Sequence, residues 1–398
     1  MDQNDQDSSG SSQWVDEILY QAIQRRASDI HIEPEKDSVI VRFRIDGLLT
    51  PYKTLDKASQ EGIVSRIKIL SKIDITDHRV PKDGHFEFVS QNVTYNIRVS
   101  TLPTSYGETV VMRILNREDI QINLELLGFL SDQLNEVTNL TIGSAGMILI
   151  TGASGAGKTT LLYSMLHTLI RPEKNVVTIE DPIELQVAGI RQSQVNDETG
   201  LTFSRILRSV LRQDPDVIML GEIRDNDTAQ MSIQASLTGI LVLSTFHTFD
   251  VPALVTRLME MGITNSVLAQ AVKSVISTRL VRKICETCKQ RYLISENEKR
   301  LIENNIPANF DNHLFKGAGC VNCQNLGYLG RIGIFEVITF DDEIRSSIIE
   351  RKPASYMFDL LAKKNITSQY EVAFKKIFDG ETTLEEVIRV LGFPNRKN

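Results

Sequence analysis

The stretch Met147-Ile-Leu-Ile-Thr151-Gly152-Ala-Ser-Gly-Ala-Gly157-Lys158-Thr159-Thr160 decides the fold. An apolar run of strand length leads into the pattern G-x-x-x-x-G-K-[ST], and a helix-forming segment follows. Strand, glycine loop and helix in that order are the context in which this pattern binds phosphate. The glycines let successive backbone N–H groups curl around an anion, and the helix N-terminus adds its partial positive charge. Lys158 is predicted to reach the β- and γ-phosphates of a nucleotide, and the Thr159 hydroxyl to ligate Mg²⁺. Gly152, Ser154, Gly155, Ala156, Gly157, Lys158, Thr159 and Thr160 together form the predicted cradle for ATP.

Downstream, buried-type strands are predicted at 176–180, 217–220 and 240–245, alternating with helices. Near-continuous apolar strands of this kind read as a parallel sheet covered on both faces, an α/β architecture. In such sheets ligands bind at the carboxyl ends of the strands. Three of those ends carry chemistry: Glu180-Asp181 before Pro182, Gly221-Glu222, and Phe246-His247-Thr248. Gly221 stands where an Asp often ends the second of these, which leaves Glu222 to do the work on metal or water. His247 is placed to sense a γ-phosphate or donate to it. Solvated loop carboxylates and a satisfied histidine are the alternatives for each residue taken singly.

Upstream the pattern changes. A helix is predicted at 14–27, with Trp14, Ile18 and Ala22 on one side, then a short strand at 28–34. Val39, Val41, Phe43 and Ile45 alternate with Ile40, Arg42 and Arg44, and Asp46-Gly47 signals a hairpin. A helix near 57–71 and strands at 93–100 and 109–115 complete an α+β domain with an antiparallel-type sheet. Arg42, Arg44 and Arg98 leave its non-core faces, and Arg113 sits on another strand. A solvated face accounts for any one of them. Together they suit a nucleotide site completed by another domain or subunit, because guanidinium stabilises transferring phosphoryl charge.

The chain has 398 residues, enough for two or three domains of roughly 100–200 residues each. The expected organisation is a flexible tail (1–12), the α+β domain (13–115), a linker (116–135), the α/β core (136–280), a cysteine module (281–330) and a helical C-terminal region (331–398). Hydrophobic residues make up 41% and charged residues 24%, which excludes a mostly disordered chain. With 44 Lys and Arg against 51 Asp and Glu the net charge is −7, so a whole-chain basic footprint for nucleic acid is absent. No apolar run approaches the roughly 18–20 residues that span a bilayer. Residues 1–12 have no apolar signal region, so a cytoplasmic location is expected.

All four cysteines fall in two C-x-x-C pairs, Cys285/Cys288 and Cys320/Cys323. In a cytoplasmic protein such pairs point to metal rather than disulfides. Four thiolates in tetrahedral array are the pattern of a structural zinc (Zn²⁺) site with no open position. Metal-free thiols, a redox pair and an iron–sulfur cluster are the alternatives. Residues 289–319, between the pairs, are expected to fold out as an excursion of their own.

These motifs, in this order, resemble those of the type II secretion and type IV pilus assembly ATPases, a family of ring-forming motors. The resemblance runs from residue 27 to 336. Its most specific pieces are Ala27-Ser-Asp-Ile-His-Ile-Glu33-Pro34, Arg42-Phe-Arg44-Ile-Asp46-Gly47, Arg98-Val-Ser-Thr-Leu-Pro103, the phosphate loop, the block from Arg208 to Asp225 and the four cysteines. It implies a RecA-like P-loop core behind a PAS-like first domain. Thr178-Ile-Glu180-Asp181-Pro182 looks like the family's aspartate box, with Glu180 as candidate base for water. Gly221-Glu222 looks like its unusual Walker B segment, with Glu222 organising Mg²⁺, and His247 like the second histidine of its histidine box. Arg98 and Arg113 would serve as arginine fingers.

The resemblance further implies a homo-hexamer that hydrolyses ATP to drive assembly of a type IV pilus or type II secretion pseudopilus. It would act through an inner-membrane platform protein, as a cytoplasmic protein peripherally associated with that membrane. The cysteine module favours the assembly branch over the retraction branch. Two departures stand out. Ile240 occupies the place of the family's first histidine, so any role of that group is lost. The extra N-terminal domain that docks on a membrane-anchored cytoplasmic partner is expected to be missing or reduced to residues 1–12. The rival readings are a related motor for DNA uptake, DNA transfer or effector secretion, and a nucleotide-binding scaffold without turnover. The charge of −7 and the lack of a basic, aromatic-rich stripe weigh against direct nucleic-acid binding.

Overall fold

The alternation of Val39, Val41, Phe43 and Ile45 is realised as a strand whose inward positions are all buried and whose Arg42 and Arg44 lie on the other face. A computed structural model provides the coordinates; it describes residues 4–115, 123–143, 145–303, 312–364 and 366–393, with side chains from residue 13. Part of the expected linker, residues 116–122, lies outside the described residues. The chain divides into two units, Met1–Ile120 and Gln121–Asn398.

In the first unit, α1 (Asn4–Gln24) precedes β1 (Ala27–Pro34), β2 (Ser38–Ile45) and β3 (Leu48–Asp56); α2 (Gln60–Leu70), β4 (Lys82–Ser90), β5 (Val93–Thr104) and β6 (Gly107–Leu115) follow. The strands form one antiparallel sheet in the order β3-β2-β1-β6-β5-β4. Asp46 and Gly47, both at positive φ, make the hairpin that joins Ile45 to Leu48. Val15, Ile18, Leu19 and Ala22 of α1 and Ile63, Val64 and Ile67 of α2 pack with the buried face of the sheet. The helix α1 starts at Asn4, so it runs through most of the segment expected to be a tail.

In the second unit, α3 (Ser131–Ile142) leads to β7 (Gly146–Thr151), α4 (Lys158–Leu169), β8 (Val176–Glu180), β9 (Arg191–Gln194), α5 (Phe203–Val210), β10 (Val217–Leu220), α6 (Asn226–Leu237) and β11 (Leu241–Phe246). Then come α7 (Val251–Glu260), α8 (Asn265–Ala271), β12 (Val272–Ile284), β13 (Lys289–Leu293), α9 (Glu296–Glu303), β14 (His313–Gly317) and β15 (Tyr328–Thr339). The helices α10 (Asp342–Ile349), α11 (Ala354–Lys363), α12 (Gln369–Phe378) and α13 (Leu384–Leu391) close the unit. The main sheet runs β15-β12-β7-β11-β10-β8-β9, parallel except for β15. Every residue of β7, β8, β10 and β11 is buried, because helices cover both faces.

The expected boundaries at 135, 280 and 330 are corrected by the structure: each falls inside an element, namely α3, β12 and β15. The edge strand β15 comes from beyond the cysteines. It pairs along the whole of β12, so core, cysteine module and C-terminal helices share one unit. The excursion between the cysteine pairs is a two-stranded ribbon, β13 with β14, carrying α9.

The helix α13 shows how the C-terminal region is fastened. Thr383 caps it by accepting the Glu386 amide at 3.1 Å, as Thr383-Leu-Glu-Glu386 predicts. The reciprocal half of a capping box is replaced. The fully buried Glu386 carboxylate instead takes Arg282 of β12 at 2.7 Å and Arg389 at 2.6 and 2.8 Å. Burial alone would raise the Glu386 pKa, but the two guanidinium groups hold it below the ordinary carboxylate value. The contribution is therefore full at neutral pH and is lost as pH falls through the depressed value. Glu386→Ala leaves the half-buried Arg282 beside no anion and should cost about 3 kcal/mol. Faster amide exchange confined to α13 and the far half of β12, with the first unit unchanged, is the expected result.

Candidate nucleotide site and thiolate cluster

The strand β7 ends at Thr151, and the loop turns at Gly155 and Gly157, whose φ values of 73° and 87° suit a residue without Cβ. From there α4 begins at Lys158. The neighbouring strand β12 braces the loop: Thr278 Oγ1 donates to the Ala156 carbonyl at 2.9 Å, and Ser277 and Thr151 share a hydroxyl contact at 2.9 Å. The Lys158 ammonium, largely buried, donates to the carbonyls of Gly152 and Ala153 at 2.8 and 2.9 Å. Burial lowers its pKa, Glu222 opposes that and Arg279 adds to it. Thr159 lies exposed at the start of the helix.

Three expected site residues come together here. Lys158 Nζ is 3.5 Å from His247 Nδ1, and His247 Nε2 is 3.3 Å from Glu222 Oε2. Arg224 grips the other Glu222 oxygen and reaches Asp181 at 3.2 Å. The strand ends thus deliver an ammonium, an imidazole, a guanidinium and a carboxylate to one mouth of the sheet. With the exposed Thr159 hydroxyl, the Glu222 carboxylate supplies hard oxygen donors of the kind Mg²⁺ takes beside phosphates.

Glu180, the expected candidate base, stands apart from this group. It is 3% exposed, and both its oxygens are engaged. Tyr163 donates to Oε2, while Thr178 and Gln192 donate to Oε1 at 2.6 and 3.1 Å. Tyr163, Thr178 and Gln192 escaped the sequence reading. On β8 the available signal was a lone hydroxyl, Thr178, in an apolar run.

Arg98 and Arg113 face each other in register across β5 and β6 of the first unit. Like charges so placed repel, and Asp29 offsets them. Its carboxylate accepts Arg113 Nε at 2.9 Å and lies 3.6 Å from Arg44. Asp29, Asp83, His85, Arg98 and Arg113 line one pocket.

The four cysteine sulfurs converge, all within 4.8 Å of one another. Cys285–Cys320 and Cys288–Cys323 are 3.8 Å apart and Cys320–Cys323 3.7 Å. A tetrahedron with Zn–S of about 2.3 Å has edges of about 3.8 Å, so the donor set fits zinc. Amides of Cys320 and Gly327 point at Cys323 Sγ at 3.2 and 3.3 Å. Burial raises the Cys323 pKa, yet those amides outweigh it and bring it to about 7. Close backbone approach builds the knuckles: a Cβ on Gly317 would stand 1.9 Å from the Gly327 carbonyl.

A parallel sheet with a glycine loop after a central strand, and acid and imidazole at the next strand ends, defines a P-loop fold. The family model for Type II/IV secretion system protein matches residues 4–389, and the chain belongs to that family. It is 41% identical over 382 residues to the type IV pilus assembly ATPase PilB of Thermus thermophilus, covering 96% of this chain and 43% of that protein. It is 41% identical over 376 residues to type II secretion system protein E of Dickeya dadantii, covering 94% of this chain and 74% of that one. Among solved structures, the ATPase DotB of Legionella pneumophila superposes with a TM-score of 0.66 at 21% identity, covering 94% of each chain. The pilus retraction motor PilT with bound ADP superposes at 0.62 and 24%, covering 96% and 97%. These two likenesses concern the fold. No helix among the described residues is long and apolar enough to cross a membrane.

The thiolate geometry makes a quantitative expectation. Elemental analysis should find one zinc per chain, and Cys285→Ser should release it and loosen the ribbon of β13 and β14, because metal binding and local folding are coupled. Nucleotide binding should survive, since the phosphate loop is built from other strands. Metal-free purified protein would contradict the assignment.

Proposed function

We propose that this chain is the ATP-hydrolysing motor of a type II secretion or type IV pilus assembly system. The observation that carries the reading is the contact line Lys158–His247–Glu222 at the mouth of the phosphate loop, in a chain of this family. Thr159 and Glu222 would hold Mg²⁺, which would supply positive charge against the phosphates. The chain's own groups divide the remaining work. The loop amides and Lys158 bind the phosphates, Glu222 and Thr159 hold the metal and its waters, and His247 donates to the terminal phosphate. Arg224 fixes the Glu222 carboxylate by a charge-assisted bond, which keeps its second oxygen directed toward His247.

Arg98 and Arg113 are proposed to complete the site as arginine fingers, within a homo-hexamer. The proposed partners are an inner-membrane platform protein and, through it, the membrane surface, with the chain on the cytoplasmic side. The zinc module is proposed to be structural. The coverage of 43% of the Thermus protein and 74% of the Dickeya protein is why these whole-protein roles stand as proposals.

Phosphate release measured with Mg²⁺ and ATP tests the reading. Lys158→Ala should lower turnover about 100-fold or more. Arg113→Ala should lower it by about 10³-fold while leaving zinc content unchanged. Specific activity should also rise with protein concentration as rings form. Wild-type turnover by Lys158→Ala would overturn the assignment of the site.

A further inference from the structure

Leu161, Leu162, Met165 and Leu166 of α4 are buried, and among them stand two buried hydroxyls: Ser164, which donates back to the Thr160 carbonyl at 2.8 Å, and the phenol of Tyr163, 1% exposed. The Tyr163 O–H donates to Glu180 Oε2 and its oxygen accepts the Leu185 amide at 3.3 Å. Burial above all, and then the adjoining carboxylate, push the phenol pKa up, so Tyr163 stays a donor. Gln192, the amide donor to Glu180, is itself pinned. Its Nε2 donates to the Leu185 carbonyl at 2.8 Å and its Oε1 accepts the Val187 amide at 2.8 Å.

A buried carboxylate needs such donors, and buried donors need an acceptor. Glu180 cannot swing away without leaving the buried Tyr163 hydroxyl without its acceptor and costing Gln192 one of its bonds. The corner at the end of β8 is therefore tied to α4, the helix whose first residue is Lys158. The next residue along the chain, Asp181, accepts Arg224 at 3.2 Å, and the other arm of Arg224 grips Glu222. One line of bonded groups runs from the phosphate-loop helix to the acid beside Lys158.

We propose that Tyr163 is a positioning residue for ATP turnover: its O–H fixes the Glu180–Asp181 corner and, through Arg224, sets where the Glu222 carboxylate stands. The assignment rests on the reading of Lys158 and Glu222 as the hydrolytic site. It concerns geometry at the reacting end of the site rather than affinity for nucleotide, since neither Tyr163 nor Asp181 contacts the phosphate loop.

The test uses the full chain and steady-state ATP hydrolysis. Tyr163→Phe removes one oxygen. It should lower kcat about tenfold, the scale of a hydrogen bond to a charged group, with KM for ATP within about twofold. Asp181→Asn, at an exposed position, breaks the far half of the line and should do the same. The double variant should be no slower than the slower single one, because both act through one connection. Unchanged kcat in Tyr163→Phe, singles whose losses multiply, or a rise in KM matching the fall in kcat would overturn the proposal and leave Tyr163 as packing. If Tyr163→Phe does not fold, Asp181→Asn decides alone: wild-type kcat there overturns the line. Lys158→Ala run alongside separates the two failures, since its wild-type turnover would sink the hydrolytic reading whatever Tyr163 does.

Discussion

A sheet buried on both faces has nowhere to put chemistry except at the ends of its strands. In β7, β8, β10 and β11 no side chain reaches solvent, and all four run parallel. Their carboxyl ends therefore lie on one rim, and the loops leaving that rim carry Lys158, Glu180, Glu222 and His247. The same constraint fixes the supporting cast. The buried hydroxyls of Thr178 and Tyr163 need an acceptor, and Glu180 supplies it. The site is the part of the sheet where polarity is permitted, and its residues are neighbours for that reason.

Much of this was legible beforehand because the signals are local. The four central strands were readable as apolar runs ending in punctuation: Thr151 before the glycine loop, Glu180 before Asp181-Pro182, Leu220 before Gly221. The hairpin at Asp46-Gly47 needed only a two-residue turn rule. What escaped depends on contacts between distant segments. The pairing of β15 with β12 brings residues 328–339 back onto the core, and nothing in the composition of that strand announces its partner. The environment of Glu180 is set by Tyr163 and Gln192, at other points of the chain. A strand-end acid looks alike in sequence whether it faces phosphate or a phenol. The Glu386 carboxylate makes the same point: its spacing from Thr383 promised a local cap, and Arg282, more than a hundred positions earlier, claimed it.

The two clusters of chemistry in the second unit differ in how they tolerate burial. The thiolate set satisfies itself, since four sulfurs at mutual contact need one cation and a few amides. The phosphate site is balanced across strands instead. Lys158 is held by loop carbonyls, Glu222 by Arg224 and His247, and Asp181 by the same Arg224. No single pair there is closed on itself, so each group keeps a direction in which it can exchange a protein partner for a ligand oxygen.

The strand β12 joins these clusters. Its first half is bonded to β7, its whole length to β15, and Thr278 touches the phosphate loop while Cys285 follows directly on Ile284. A strand hydrogen-bonded to a partner along its length does not bend or stretch as a free segment would. The eight residues from Thr278 to Cys285 span about 23 Å of strand, with a register irregularity between Arg282 and Ile284. The phosphate loop and the thiolate cluster are thus mounted at two points of one strand.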